Sequence, residues 1–167
     1  SNTTAAQNVA IGTCALYTTT TGANNISVGN YSSKLNTTGA NNVAFGYAAL
    51  CSNTTASDGV AVGCGALLAN TTGAENVAIG KRSLWKNTTA TNNTAVGTNS
   101  LRENTTAADN TALGKSSLCA TTTGASNTAV GKDAMLTNTT GNSNAAFGMN
   151  TLYANTTGCI NTAIGKD

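Results

Sequence analysis

A β-branched residue, a small one and a large apolar one recur along the chain as a triplet, as in Val9-Ala10-Ile11, Val43-Ala44-Phe45, Val77-Ala78-Ile79 and Thr94-Ala95-Val96, with Ala145 the one departure in the first place. A glycine follows each triplet. These glycines (Gly12, Gly29, Gly46, Gly63, Gly80, Gly97, Gly114, Gly131, Gly148 and Gly165) stand 17 residues apart, without insertion or deletion. With that glycine as position 1, the unit reads G-x-x-(A/S)-L-x-x-N-T-T-(G/A)-A-x-N-(V/T)-A-(I/V/L/F). A fixed period of this kind is the signature of a repeat architecture and takes precedence over any local assignment.

Seventeen residues are too few for two helices and a turn, and Gly, Asn and Thr form helices poorly, so strands must carry the unit. The triplet predicts one short strand over positions 14 to 17, and the Asn-Thr-Thr run at positions 8 to 10 predicts a second, with glycines at 1 and 11 at the corners. Coils stacked through parallel backbone hydrogen bonds rise roughly 4.8 Å each, so ten make a rod about 48 Å long. Residues 1–167 are therefore expected to form a single all-β domain, a parallel β-solenoid of ten 17-residue coils.

By the parity of the triplet, positions 15 and 17 are expected inside, and the small residue at position 16 outside. The column at position 5 (Leu16, Leu50, Leu67, Leu84, Leu101, Leu118, Met135 and Leu152, interrupted by Ser33) is expected to fill the rest of the interior. An aspartate at Leu84 or Ile79 should then disrupt the stack by burying an unpaired charge. Neither end shows a polar capping unit, so the chain is expected to continue, or to dock end to end into a filament.

Position 14 is Asn in nine of ten units, with Gly59 the departure. An amide at a tight corner can bond to the next amide up the stack, so this column reads as a structural ladder. Of the two Thr columns at positions 9 and 10, strand alternation predicts one facing inward and one facing solvent. The Asn-Thr-Thr run also matches the N-glycosylation acceptor pattern at Asn36, Asn53, Asn70, Asn87, Asn104, Asn138 and Asn155, and at Asn2. The repeat generates these matches by itself.

Position 6 carries Tyr17, Cys51, Leu68, Trp85, Cys119, Leu136 and Tyr153 against only Lys34 and Arg102. Following the inward Leu, these side chains should point outward as an apolar stripe, which marks Tyr17, Leu68, Trp85, Leu136 and Tyr153 as candidates for self-association. The Ala column at position 16, read as outward, would allow another chain to approach closely. Replacing Trp85 should weaken association.

Composition narrows the chemistry. Only 8% of residues are charged and 4% aromatic, proline and histidine are absent, and the formal net charge is +2. That balance argues against a disordered tail and against nucleic acid as a partner, and no apolar run approaches the roughly 20 residues of a membrane span. Without histidine the usual general base and metal ligand is missing, and a uniform solenoid presents ridges rather than a cleft. No catalytic residue, cofactor or metal site is expected. Asp58 and Glu75 share position 13 on neighbouring coils, but two carboxylates without further oxygen ligands make a poor calcium site. Cys14, Cys51, Cys64, Cys119 and Cys159 fall at positions 3, 6, 2, 6 and 12, too far apart for bridges within the chain, and read as small fillers. Unpaired cysteines sit awkwardly with an extracellular setting. Position 2 is Lys at Lys81, Lys115, Lys132 and Lys166, with Arg82 beside the first, a thin basic edge read as a solubility device.

The runs Asn-Val-Ala-Ile-Gly (8–12 and 76–80) and Asn-Thr-Ala-Val-Gly (93–97 and 127–131) resemble the head repeats of YadA-type trimeric autotransporter adhesins. The longer unit, as in 63–80 with its Ala-Leu and Asn-Thr-Thr-Gly, is similar to repeats of phage tail-fibre and bacterial surface-fibre proteins. The resemblance covers the full chain. It implies a left-handed parallel β-roll, three chains side by side about a common axis, in an extracellular or virion fibre. The expected function is accordingly a non-enzymatic structural fibre segment that self-associates and displays an Asn and Thr rich face. One alternative is an adhesin module whose face binds surface glycans or matrix, and another is an ice-binding solenoid. Architecture alone does not decide among them.

Overall fold

A computed structural model describes residues 4–167. Ten three-residue strands run from β1 (Val9–Ile11), β2 (Ile26–Val28) and β3 (Val43–Phe45) through β4 (Val60–Val62), β5 (Val77–Ile79), β6 (Thr94–Val96) and β7 (Thr111–Leu113) to β8 (Thr128–Val130), β9 (Ala145–Phe147) and β10 (Thr162–Ile164). They form one parallel sheet in chain order. Every pair is in the register the repeat demands, with Val43 against Val60, Ala44 against Ala61 and Phe45 against Val62. No helix occurs among the described residues. The chain is a β-solenoid of stacked 17-residue coils.

Each coil closes in so few residues because three positions per turn take left-handed backbone angles. Positions 3, 5 and 13 have φ between 45° and 66° throughout, whether occupied by Asn41, Asp58, Leu84 or Arg82. Asn and Asp tolerate that region, whereas a leucine there costs about 1–2 kcal/mol, which burial of its side chain must offset. The glycine at position 1 is obligatory for a different reason. Gly80 has φ of 129°, and a Cβ on it would lie 2.7 Å from the backbone of Gly97 in the next coil.

The interior reverses the parity expected of the triplet. Ala44, Ala61, Ala78, Ala95, Ala112, Ala129 and Ala146 at position 16 are fully buried, while Phe45, Ile79, Leu113 and Phe147 at position 17 are exposed. Ile79→Asp therefore places its charge at the surface. Leu84, at 0% exposure, keeps its assigned place in the core. The reason is cross-section: a coil of this length holds one large side chain, the position 5 Leu, and the space opposite it admits only a methyl group. Position 4 (Ala49, Ala66, Ser83, Ser100) and the asparagines at positions 8 and 14 complete the interior.

Positions 8 to 10 form a bend rather than the second strand expected. The Thr37 and Thr38 amides both donate to the Thr54 carbonyl of the next coil, at 2.9 and 3.1 Å, and the Thr37 hydroxyl donates to it as well at 2.9 Å. Three donors converging on one carbonyl bind the coils together, but they replace the regular exchange of amides and carbonyls that a strand ladder requires. Neither Thr column faces inward, since the residues at positions 8 and 11, such as Asn53 and Ala56, fill that side. Position 9 is half-buried and position 10 exposed.

The asparagines form two internal ladders, interrupted at Thr19 and Thr121 in position 8 and at Gly59 in position 14. At position 14, Asn42 Nδ2 donates to Asn25 Oδ1 (3.1 Å) and to the Ala56 carbonyl (2.9 Å), while its backbone amide donates to the same Asn25 Oδ1 (3.0 Å). At position 8, Asn53 Nδ2 donates to Asn36 Oδ1 (2.9 Å) and to the Ala56 carbonyl (3.0 Å). One carbonyl per coil thus ties both ladders to the backbone. Buried amides are stabilising only when satisfied in this way.

Candidate functional site

Besides the exposed Thr column at position 10, three outward surfaces remain once the inward columns are removed, and each has its own chemistry. The first is the outer face of the sheet, formed by positions 15 and 17. Phe45 is 56% exposed and Leu113 47%, and in position 17 the larger residues Ile11, Phe45, Ile79, Leu113 and Phe147 alternate with Val28, Val62, Val96 and Val130. At position 17 the three-residue parallel strands therefore present a continuous apolar column along the rod, because their inward side is spent on Ala and Asn, while position 15 turns from Val and Ile to mostly Thr from Thr94 onward. The reading from sequence alone missed this surface. Its signal was available: position 16 never exceeds Ala or Ser in size, and it shares parity with the Asn ladder at position 14.

The second surface is the stripe assigned to position 6, which is not continuous. Tyr17 is 60% and Tyr153 44% exposed, but Leu68, Trp85 and Leu136 are half-buried and Cys119 is buried. The left-handed residue at position 5 breaks strand alternation, so the following side chain lies along the coil instead of standing away from it. Trp85 lies under Arg82, whose guanidinium carbon is 5.5 Å from the ring centroid. Gly65 leaves ordinary contact space at its indole edge, about one coil away. Lys34 lies 5.4 Å from the Tyr31 ring centroid, and Tyr31 meets Tyr47 edge to face at 6.0 Å.

The third surface is charged. All eight Lys and Arg residues occupy positions 2, 3, 6 and 7: Lys34, Lys81, Arg82, Lys86, Arg102, Lys115, Lys132 and Lys166. Three of the six acids, Glu103, Asp133 and Asp167, share this corner, and the other three, Asp58, Glu75 and Asp109, stand at position 13. Glu103 receives Lys86 at 2.5 Å and Arg102 at 2.6 Å. Its partial burial pushes the carboxyl upward, but hydrogen bonds from Lys86 and Arg102 outweigh that and hold it below the ordinary glutamate range. Lys132 pairs with Asp133 at 3.3 Å. Lys81 and Lys115 make no ion pair among the described residues.

Asp58 and Glu75 are exposed, and Asp58 accepts a hydrogen bond from Asn41 Nδ2 at 3.0 Å. No cluster of three metal-ligating side chains and no cavity is found among the described residues. The five cysteines are all free thiols, and burial raises the pKa of Cys51 and Cys119.

The seven acceptor asparagines lie on the inside of the coil. Asn36, Asn53, Asn70, Asn87, Asn104 and Asn138 are at most 1% exposed, and the half-buried Asn155 donates through Nδ2 to Asn138 Oδ1 and the Gly158 carbonyl. A glycan on any of these nitrogens cannot coexist with the folded coil, because the nitrogen that would carry it is a ladder donor facing the core. Asn2 lies outside the described residues.

Compared with protein-family models, with curated proteins and with solved structures, the chain matches none of them.

Proposed function

We propose that this chain is a structural segment of an extracellular or virion fibre, non-enzymatic, which self-associates side by side through the outer face of its sheet. The observation that carries this reading is the apolar column at position 17, unbroken from Ile11 to Ile164 and flanked at position 15 by Val and Ile and, from Thr94 onward, mostly by Thr, on a regular stack. Contiguous exposed apolar surface of this kind marks a contact site. The resemblance to YadA-type head repeats supports three copies about one axis. In such a bundle, layers of Phe45, Ile79 or Leu113 would alternate with layers of Val62, Val96 or Val130, the large and small alternation that close packing favours.

Partners at this face are further copies of the chain, and the opposite corners, with their Thr and charged columns, stay outside. Light scattering coupled to size exclusion tests the reading. The wild type is expected to run as a trimer, and Ile79→Asp, which places a charge in the strip without touching the core, as a monomer with an unchanged β-rich circular dichroism spectrum. A wild type that is monomeric at all concentrations would remove the proposal.

A further inference from the structure

We propose that the corner formed by positions 2, 3, 6 and 7 of the four coils that start at Gly80, Gly97, Gly114 and Gly131 binds an extended, sparsely charged anionic polysaccharide. The argument starts from where the charges are. Six of the 17 columns point outward elsewhere, at positions 9, 10, 12, 13, 15 and 17, yet none carries a single Lys or Arg. All eight cations stand on one corner, giving it a formal +5 against the three acids there, while the position 13 corner holds the remaining three acids and no cation. Charges placed for solubility alone would be interspersed in sign around the rod. This rod is instead polarised across its section.

Spacing indicates the kind of anion. Lys115 and Lys132 stand on adjacent coils, about 4.8 Å apart along the axis, and Lys81 lies two coils from Lys115, about 9.6 Å. Lys81 and Lys115 are exposed and without an ion pair among the described residues, and Lys132 is 56% exposed beside Asp133. One cation for every one or two coils matches a chain with one carboxylate per sugar or per pair of sugars. It is far too sparse for a nucleic acid duplex, which carries a charge every 1.7 Å or so.

Trp85 and Arg82 add the second element. They sit beside Lys81 in the same coil, the guanidinium over the indole. Such a fixed flat surface presents an apolar face to a sugar ring while Arg82 keeps donors for its carboxylate. These columns lie beyond the glycine corner from the strand, so their use does not depend on self-association through the sheet.

The test is titration of the chain with polygalacturonate, with dextran and poly(U) as the neutral and nucleic acid comparisons. Polygalacturonate is expected to bind, weakening about tenfold or more between 50 and 200 mM salt as counterions are released, and dextran is not. The triple variant Lys81→Glu, Lys115→Glu, Lys132→Glu should lose at least tenfold in affinity with its melting temperature and oligomeric mass unchanged. Trp85→Ala should lose severalfold. No binding at 50 mM salt, undiminished binding by the triple variant, or poly(U) binding as tightly as polygalacturonate would each overturn the proposal.

Discussion

Individual residues show the rules of the coil most clearly where the repeat lapses. Ser33 replaces the position 5 Leu, and its hydroxyl is buried with no hydrogen-bond partner among the described residues. Leucines elsewhere in the column adopt the same backbone angles, so Ser33→Leu is expected to stabilise by about 1–3 kcal/mol, read as a raised melting temperature. Thr121 replaces a ladder Asn, and its hydroxyl donates to the Asn138 carbonyl instead. The preceding Asn104 Oδ1 is left without a donor. Thr121→Asn should restore the bond and add about 1 kcal/mol. Gly59 interrupts the other ladder, and Gly59→Asn should likewise stabilise, since the Asn42 oxygen it would meet is the normal ladder acceptor. Loss of stability in all three variants, measured by denaturant unfolding, would show that the columns are not the source of cohesion.

At the scale of the strand, the repeat, its parallel stacking and the Asn ladder at position 14 were legible from sequence, because each follows from spacing and from what an amide can reach. The direction of the side chains was not. Size was taken as the guide to burial, so Val and Ile were put inside and Ala outside. In a section this narrow the constraint is the opposite one, and the invariant small residue identifies the wall with no room. The second strand failed for a related reason: Thr has strand propensity, but at positions 9 and 10 its hydroxyl and amides are spent on a single carbonyl. Ala95→Leu should therefore cost at least 1–3 kcal/mol through overpacking, whereas the same change at the neighbouring exposed Thr94 should be nearly neutral. Enzymatic glycosylation gives a further check at this scale. Sugar on Asn70 or Asn87 is expected only on unfolded chains, and a glycosylated chain with native dichroism would contradict the inward ladder.

The whole molecule is a rod whose cohesion repeats coil by coil and whose outward faces differ around its section: an apolar strip on the strands, a cationic and aromatic corner, and an acidic corner opposite in sign. Self-association and anion binding are assigned to the first two. The first assignment depends on the inside-out order of the strand, with Ala and Asn within and Val, Ile and Phe without. The paired unfolding of Ala78→Asp and Ile79→Asp, at dilutions where the chain does not associate, tests that order most directly. Adjacent residues with the same substitution should part completely, Ala78→Asp losing the cooperative transition and Ile79→Asp melting within a few degrees of wild type. The reverse ranking would mean that the large residues form the core, and the surfaces described would be those of a different coil.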